Sequence, residues 1–151
     1  MTSDWPDIAG RLTDFGHVLP ARVYFEDTDF SGSVYHTGYL RFMERGRSDF
    51  LRMLGVGHRA LAAGDEGEPL SFAVRRMTIE FLRAATIDDL LQIETRVVRI
   101  DGARLVLAQR VLRGSEVLTE AEVVVAVVNG MGKARRIPKG VALRLARSAA
   151  P

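Results

Sequence analysis

Cysteine is absent from this chain of 151 residues, which excludes disulfides, thiolate zinc sites and a cysteine nucleophile together. Lysine is confined to Lys133 and Lys139, so the formal charge of +2 rests on arginine. The arginines are scattered, and no segment presents a basic stripe interleaved with aromatics, so nucleic-acid binding is not indicated. Long apolar runs are also missing. None approaches the roughly 20 residues that a membrane-spanning helix needs, so no membrane insertion is expected. With only three histidines, and no second one near the first acidic cluster, no metal is expected either. The N-terminus carries early acidic residues, no basic start and no apolar block; it is unlike a secretory signal, and a cytoplasmic location is expected.

What remains is the balance of one globular domain, 47% hydrophobic and 26% charged, long enough to bury a core without a disulfide or structural metal. Residues 1–19 read as a polar N-terminal extension punctuated by Pro6, Gly10 and Gly16. The domain proper is expected over 20–140, and 141–151 as a C-terminal tail. The run ARVYFE, 21–26, favours a strand and leads into an Asp-Thr-Asp turn. From His36 to Leu54 the apolar period becomes helical, with Tyr39, Met43, Gly46, Phe50 and Leu54 on one face. Gly55 and Gly57 end that helix. Four strand-like runs follow, over 70–83, 89–100, 103–113 and 116–128, the last three joined by Asp101-Gly102 and Gly114-Ser115, which suit tight hairpins. A single long helix and a meander of strands pack economically only if the sheet wraps the helix, giving an α+β domain.

The chemistry concentrates in RVYFEDTDFSGSVYHTGYLRFMERGR, residues 22–47. A carboxylate, Asp29, and an imidazole, His36, stand beside a helix N-terminus whose first amides, from His36 to Gly38, are able to hold a developing negative charge. Gly32 permits a reversal of the loop that would let the two side chains converge. Asp27 reads as a turn former. Glu44, two turns along the helix, is a reserve carboxylate. Lys133, Arg135 and Arg136 form the one compact basic group, suited to phosphates. Phe72, Val74 and Met77 are candidates to line an apolar pocket.

The pattern DxDxxGxVYHxxY, together with IEFLRAATIDDLLQIETRV and a closing KARRIP, resembles hotdog-fold acyl-CoA thioesterases of the 4-hydroxybenzoyl-CoA thioesterase family, within it the Tol-Pal-associated branch, over residues 21–140. The resemblance implies a hotdog fold with a five-stranded antiparallel sheet around one central helix. It implies Asp29 as the catalytic carboxylate, nucleophile or general base, with His36 beside it. It also implies an acyl-CoA substrate, no cofactor beyond the coenzyme A of the substrate, and a homodimer or homotetramer joined edge to edge with sites at the interface. Acyl carrier protein is a further partner to consider. Two residues depart from the pattern: Phe25 stands where the branch often has a tyrosine, and Ala84 where a proline is usual. The rivals are a hotdog protein that binds acyl groups with little turnover, and a hydroxyacyl-thioester dehydratase on the same fold.

Overall fold

The computed structural model describes residues 10–64 and 67–149. Their order is β1 (Arg11–Leu12), β2 (His17–Arg22), a short 3-10 turn (Phe25–Asp27), α1 (His36–Met53), α2 (His58–Ala62), β3 (Leu70–Phe81), β4 (Leu90–Asp101), β5 (Arg104–Arg113), β6 (Glu116–Asn129) and α3 (Lys139–Ala149). The strands form one antiparallel sheet in the order β1-β2-β4-β5-β6-β3.

The helix α1 follows the expected period. Tyr39, Phe42, Met43, Gly46 and Phe50 are buried, and Gly55, at φ 78°, ends the run. Gly46 has a packing reason: a β-carbon there would stand 2.8 Å from Ile93 Cγ2. Its absence lets α1 lie close over the middle of β4 and β5. On the sheet's inner face Ile93, Leu105, Leu107, Val111, Ala121, Val123, Val125 and Val127 meet that stripe in one core. This is the hotdog layout. The β4–β5 and β5–β6 hairpins turn at Gly102 and Gly114, both at positive φ.

Three features differ from the sequence reading. The sheet has six strands rather than five, because residues of the supposed N-terminal extension pair as β1 and as the start of β2; the rest of that extension, 1–9, lies outside the described residues. The expected strand over 21–26 is displaced toward the N-terminus, and the chain leaves the sheet after Arg22 to form the 3-10 turn. Residues 139–149 are a helix rather than a tail, with Val141 and Leu145 fully buried against the core. A bulge in β3 between Val74 and Arg76 shifts its alternation by one residue. Phe72 before it and Met77 and Ile79 after it consequently all pack toward the core.

Candidate active site

Asp29 lies in a tight reversal closed by a bridge between Thr28 and Val34. The Asp29 N–H donates to Ser33 O at 2.9 Å and the Gly32 N–H to Asp29 O at 3.0 Å, with Gly32 at φ 86°, where a side chain would be strained. The carboxylate is partly exposed. It accepts hydrogen bonds from the Ser31 hydroxyl and from the Ser31 N–H at 2.8 Å. These donors, the hydroxyl foremost, hold the Asp29 carboxyl below the usual carboxylate range. It is therefore an anion at neutral pH.

The reversal is tied to the residues that lead into α1: Thr28 bridges Val34, and the Tyr35 N–H donates to Asp27 O. Tyr35 provides no side-chain cap, and no acidic residue occupies the first turn. The amides of His36 and Thr37 thus have no acceptor within the helix. Gly38 differs from what its position suggested: its N–H donates to Tyr35 O at 2.7 Å. Gly38 matters for packing, since a β-carbon there would lie 2.8 Å from Val34 Cγ1, and its lack lets the loop close on the helix. The exposed ring of His36 sits 4.2 Å from that of Tyr35 and 6.1 Å, edge-on, from that of Phe81. Asp29 and His36 share this loop–helix junction without a hydrogen bond between them among the described residues; Ser31 holds the carboxylate instead.

A second layer fixes the junction. Ser33 bridges Thr86, and the Val34 N–H donates to Ala85 O at 2.9 Å. The turn at 83–89 is in turn pinned by Asp89, which accepts from Thr86 N–H at 2.9 Å and from Arg113 Nη1 at 2.8 Å. Arg113 also pairs with Glu116, which pairs with Arg83. Donation from the Thr86 amide, with Arg113 in support, holds the Asp89 carboxyl below its ordinary range. The buried Tyr39 hydroxyl accepts the Ala85 N–H at 2.8 Å. Ser31, Asp89 and Arg113 escaped the sequence reading because each is an ordinary turn or surface residue until the fold brings it to the loop. The hydroxyl two residues after Asp29, within a glycine turn, was the one available signal.

Asp27 does serve a turn: its Oδ2 accepts the Tyr24 N–H at 2.9 Å, and its carbonyl the Tyr35 N–H at 3.2 Å. Phe25 is exposed in the 3-10 turn, as is Tyr24 just before it. Strand alternation therefore does not govern which way these two point. Lys133, Arg135 and Arg136 follow β6, where Ala134 bridges Val128 and the Arg135 N–H donates to Val127 O. Val127 is opposite Phe72 in β3, whereas His36 meets Phe81. Nine residues of strand, about 30 Å, separate the two points. Within one chain the basic group is not brought to Asp29, and Arg135 is engaged by Glu68 at 2.8 Å. Glu44, the reserve carboxylate, accepts from the Ser48 hydroxyl at 2.8 Å. Among the described residues no three of His, Cys, Asp and Glu converge as a metal site would require.

A single antiparallel sheet wrapped round one long helix defines a hotdog domain, and the comparisons give its class. Residues 23–145 match the family model described as the thioesterase-like superfamily, and the chain belongs to that family. It is 41% identical over 132 residues to the acyl-CoA thioesterase YbgC of Haemophilus influenzae, covering 86% of this chain and 94% of that protein. It is likewise 41% identical to the acyl-CoA thioester hydrolase YbgC of Escherichia coli O157:H7, over 81% of this chain and 90% of that one. The crystal structure of a probable thioesterase from Bartonella henselae superposes with a TM-score of 0.79 at 53% identity, covering 82% of this chain and 99% of that one. The Tol-Pal-associated branch seen in the sequence is consistent with the YbgC relatives.

Proposed function

We propose that this protein is an acyl-CoA thioesterase, releasing a free carboxylic acid and coenzyme A. The observation that carries the reading is the ionised Asp29 carboxylate in the loop that leads into the uncapped N-terminus of α1, in a chain whose relatives at 41% identity are acyl-CoA thioesterases. The thioester carbonyl docks with its oxygen toward the His36 and Thr37 amides, and each such preorganised donor is worth about 3 kcal/mol of barrier. Asp29 then either attacks the carbonyl carbon, giving an anhydride that water opens, or takes a proton from water as it attacks. In both routes a C–O bond forms, the C–S bond breaks, and the thiolate of coenzyme A leaves and is protonated. In this reading His36, the first residue of α1, orients water or substrate.

Nothing in this chemistry calls for a resident metal or redox group, since the carboxylate and the amides supply both the base and the electrophilic stabilisation. Action in the cytoplasm, where acyl-CoA is made, and assembly as a homodimer or homotetramer belong to the same reading. Acyl carrier protein is a further acyl carrier to offer in the same test. The test is release of free thiol from short-chain, long-chain and aromatic acyl-CoAs. Hydrolysis of at least one class is expected. If none is hydrolysed above background while an acyl ligand still binds, the protein is a binding module, and formation of an alkene without thiol release would make it a dehydratase.

A further inference from the structure

The loop that carries Asp29 leaves the sheet after Arg22 and ends where α1 begins, and both of its stems rest on one turn. At the entry, the Val23 N–H donates to Asp89 O and the Asp88 N–H to Val23 O, each at 2.9 Å, and Arg22 Nη1 donates to Asp88 O at 2.9 Å. At the exit, the Val34 N–H donates to Ala85 O at 2.9 Å and Ser33 bridges Thr86. The Ala85 N–H donates in turn to the Tyr39 hydroxyl at 2.8 Å, which ties the turn to α1. Wherever the segment 84–89 stands, the stems of the Asp29 loop stand with it.

That turn is not shaped by its backbone alone. Asp88 sits at φ 70°, the one non-glycine residue at positive φ among the described residues, an uncommon conformation that persists where the surroundings impose it. Ala84 supplies no ring to fix φ at the start of the turn. The shape comes from Asp89, whose Oδ2 accepts the Thr86 N–H at 2.9 Å and the Thr86 hydroxyl at 3.3 Å. The same oxygen accepts Arg113 Nη1 at 2.8 Å, and that nitrogen also reaches Ala84 O at 3.3 Å. Arg113 stands at the end of β5 opposite Glu116, whose Oε1 accepts from its Nε and Nη2 at 3.1 and 2.7 Å. One guanidinium thus grips both ends of the turn while its other edge is fixed to the β5–β6 hairpin. The Arg113 and Asp89 side chains are 34% and 22% exposed, and a pair this accessible adds little to global stability. Its effect is on where the turn stands.

We propose that Arg113 and Asp89 are positioning residues for the hydrolysis: the pair sets the turn at 84–89, and the turn, holding both stems of the loop, sets where the Asp29 carboxylate meets the thioester. Neither needs to touch substrate. The proposal rests on the thioesterase reading above, with Asp29 as the reacting carboxylate. A misplacement of about an ångström at a reacting group costs up to about a hundredfold in rate, so the pair should act on kcat more than on KM.

The test compares Arg113→Ala, Asp89→Asn and the double variant in kcat, KM and amide hydrogen exchange, using the acyl-CoA that the unmodified protein hydrolyses best. Arg83→Ala is the control: it removes the other partner of Glu116, leaves Asp89 alone, and should keep kcat within about twofold. Each single variant is expected to lose about tenfold to a hundredfold in kcat with KM little changed. The double variant should lose no more than the worse single, because both residues act through one contact. Amides of 23–35 and 84–89 should exchange faster in both, with the rest of the sheet unchanged. A purely structural role would speed exchange throughout the sheet and leave kcat per folded molecule intact. That pattern overturns the proposal, as do single variants within about twofold of the unmodified kcat, or losses that multiply in the double variant. If Arg113→Ala does not fold, Arg113→Lys takes its place; it keeps the charge but not the fork and should lose kcat likewise. No turnover of any acyl-CoA by the unmodified protein overturns the thioesterase reading and this proposal with it, whereas turnover that survives the substitutions overturns this proposal alone.

Discussion

The charge of Asp29 is set by one neighbour. Its carboxylate is open to solvent, so burial does not set its charge; the Ser31 hydroxyl and amide do, by donating to the anion. The sign of the effect is fixed: a lowered carboxyl keeps the anion present to more acidic pH. In a profile of kcat/KM against pH, Ser31→Ala should therefore move the acidic limb upward, and an unmoved limb would dissociate Ser31 from the reaction. Asp29→Asn keeps the shape of the side chain but removes the charge; turnover is expected to fall by about a hundredfold or more with KM little changed, measured as thiol release. Near-normal turnover would transfer the role to water held by His36. The loop before α1 and the start of the helix at His36 were legible in the sequence because dissimilar residues stand in a fixed register across DxDxxGxVYH. The engagement of the Gly38 amide was not legible, because whether a first-turn N–H stays free depends on how tightly the preceding turn closes.

Among the elements, those whose period is strong were readable. The helix α1 begins at His36 as expected, and β3 to β6 differ from their expected ranges only at the ends. The helix α3 was not readable, since arginines break up its short apolar pattern and only docking beside β4 decides it. Its contribution is checkable: Leu145 is fully buried, and Leu145→Ala should cost about 2–5 kcal/mol in urea unfolding. A loss near zero would mean that α3 is dispensable to the core. The pairing of β2 with α1 was equally hidden. His17 Nε2 lies 2.6 Å from Asp49 Oδ2, which also accepts the Gly10 N–H at 2.7 Å, while Arg52 pairs with the other oxygen. Only the fold joins residues 32 positions apart.

This pair gives stability a pH dependence. Burial lowers the His17 pKa from 6.5, outweighing the attraction of Asp49, with Arg52 adding to the lowering. The folded chain thus holds His17 neutral where the unfolded chain would already be protonated. The contribution is complete above about pH 6.5 and is lost as the pH falls toward the lowered folded value. Urea midpoints should drop between pH 7.5 and 5.5, and drop less in His17→Gln. Equal slopes in the two proteins would remove His17 from the effect.

For the whole molecule, the edge of the sheet sets the terms. Strand β3 is twelve residues long, pairs among the described residues only with β6, and exposes Val74 and Phe81. A long apolar edge of this kind invites another strand. Exposed Tyr24, Phe25, Phe30, Tyr35, Leu82, Ile87 and Leu90 fall by sequence around the Asp29 loop and the turn at 83–89. Antiparallel pairing of β3 with its copy would set the Phe72 end of one chain beside the Phe81 end of the other. The Lys133–Arg136 group, about 30 Å from His36 in its own chain, would then approach the Asp29 site of the partner. A mixing experiment separates the two arrangements. Asp29→Asn and a Lys133→Ala, Arg136→Ala double variant are each expected to be impaired, the second through KM. When the two are unfolded together and refolded, a heterodimer with shared sites contains one site with both functional parts intact. Random pairing then restores about a quarter of all sites. If Lys133 and Arg136 instead serve the site of their own chain, every site in the mixture carries one defect, and no activity beyond the mean of the two variants returns.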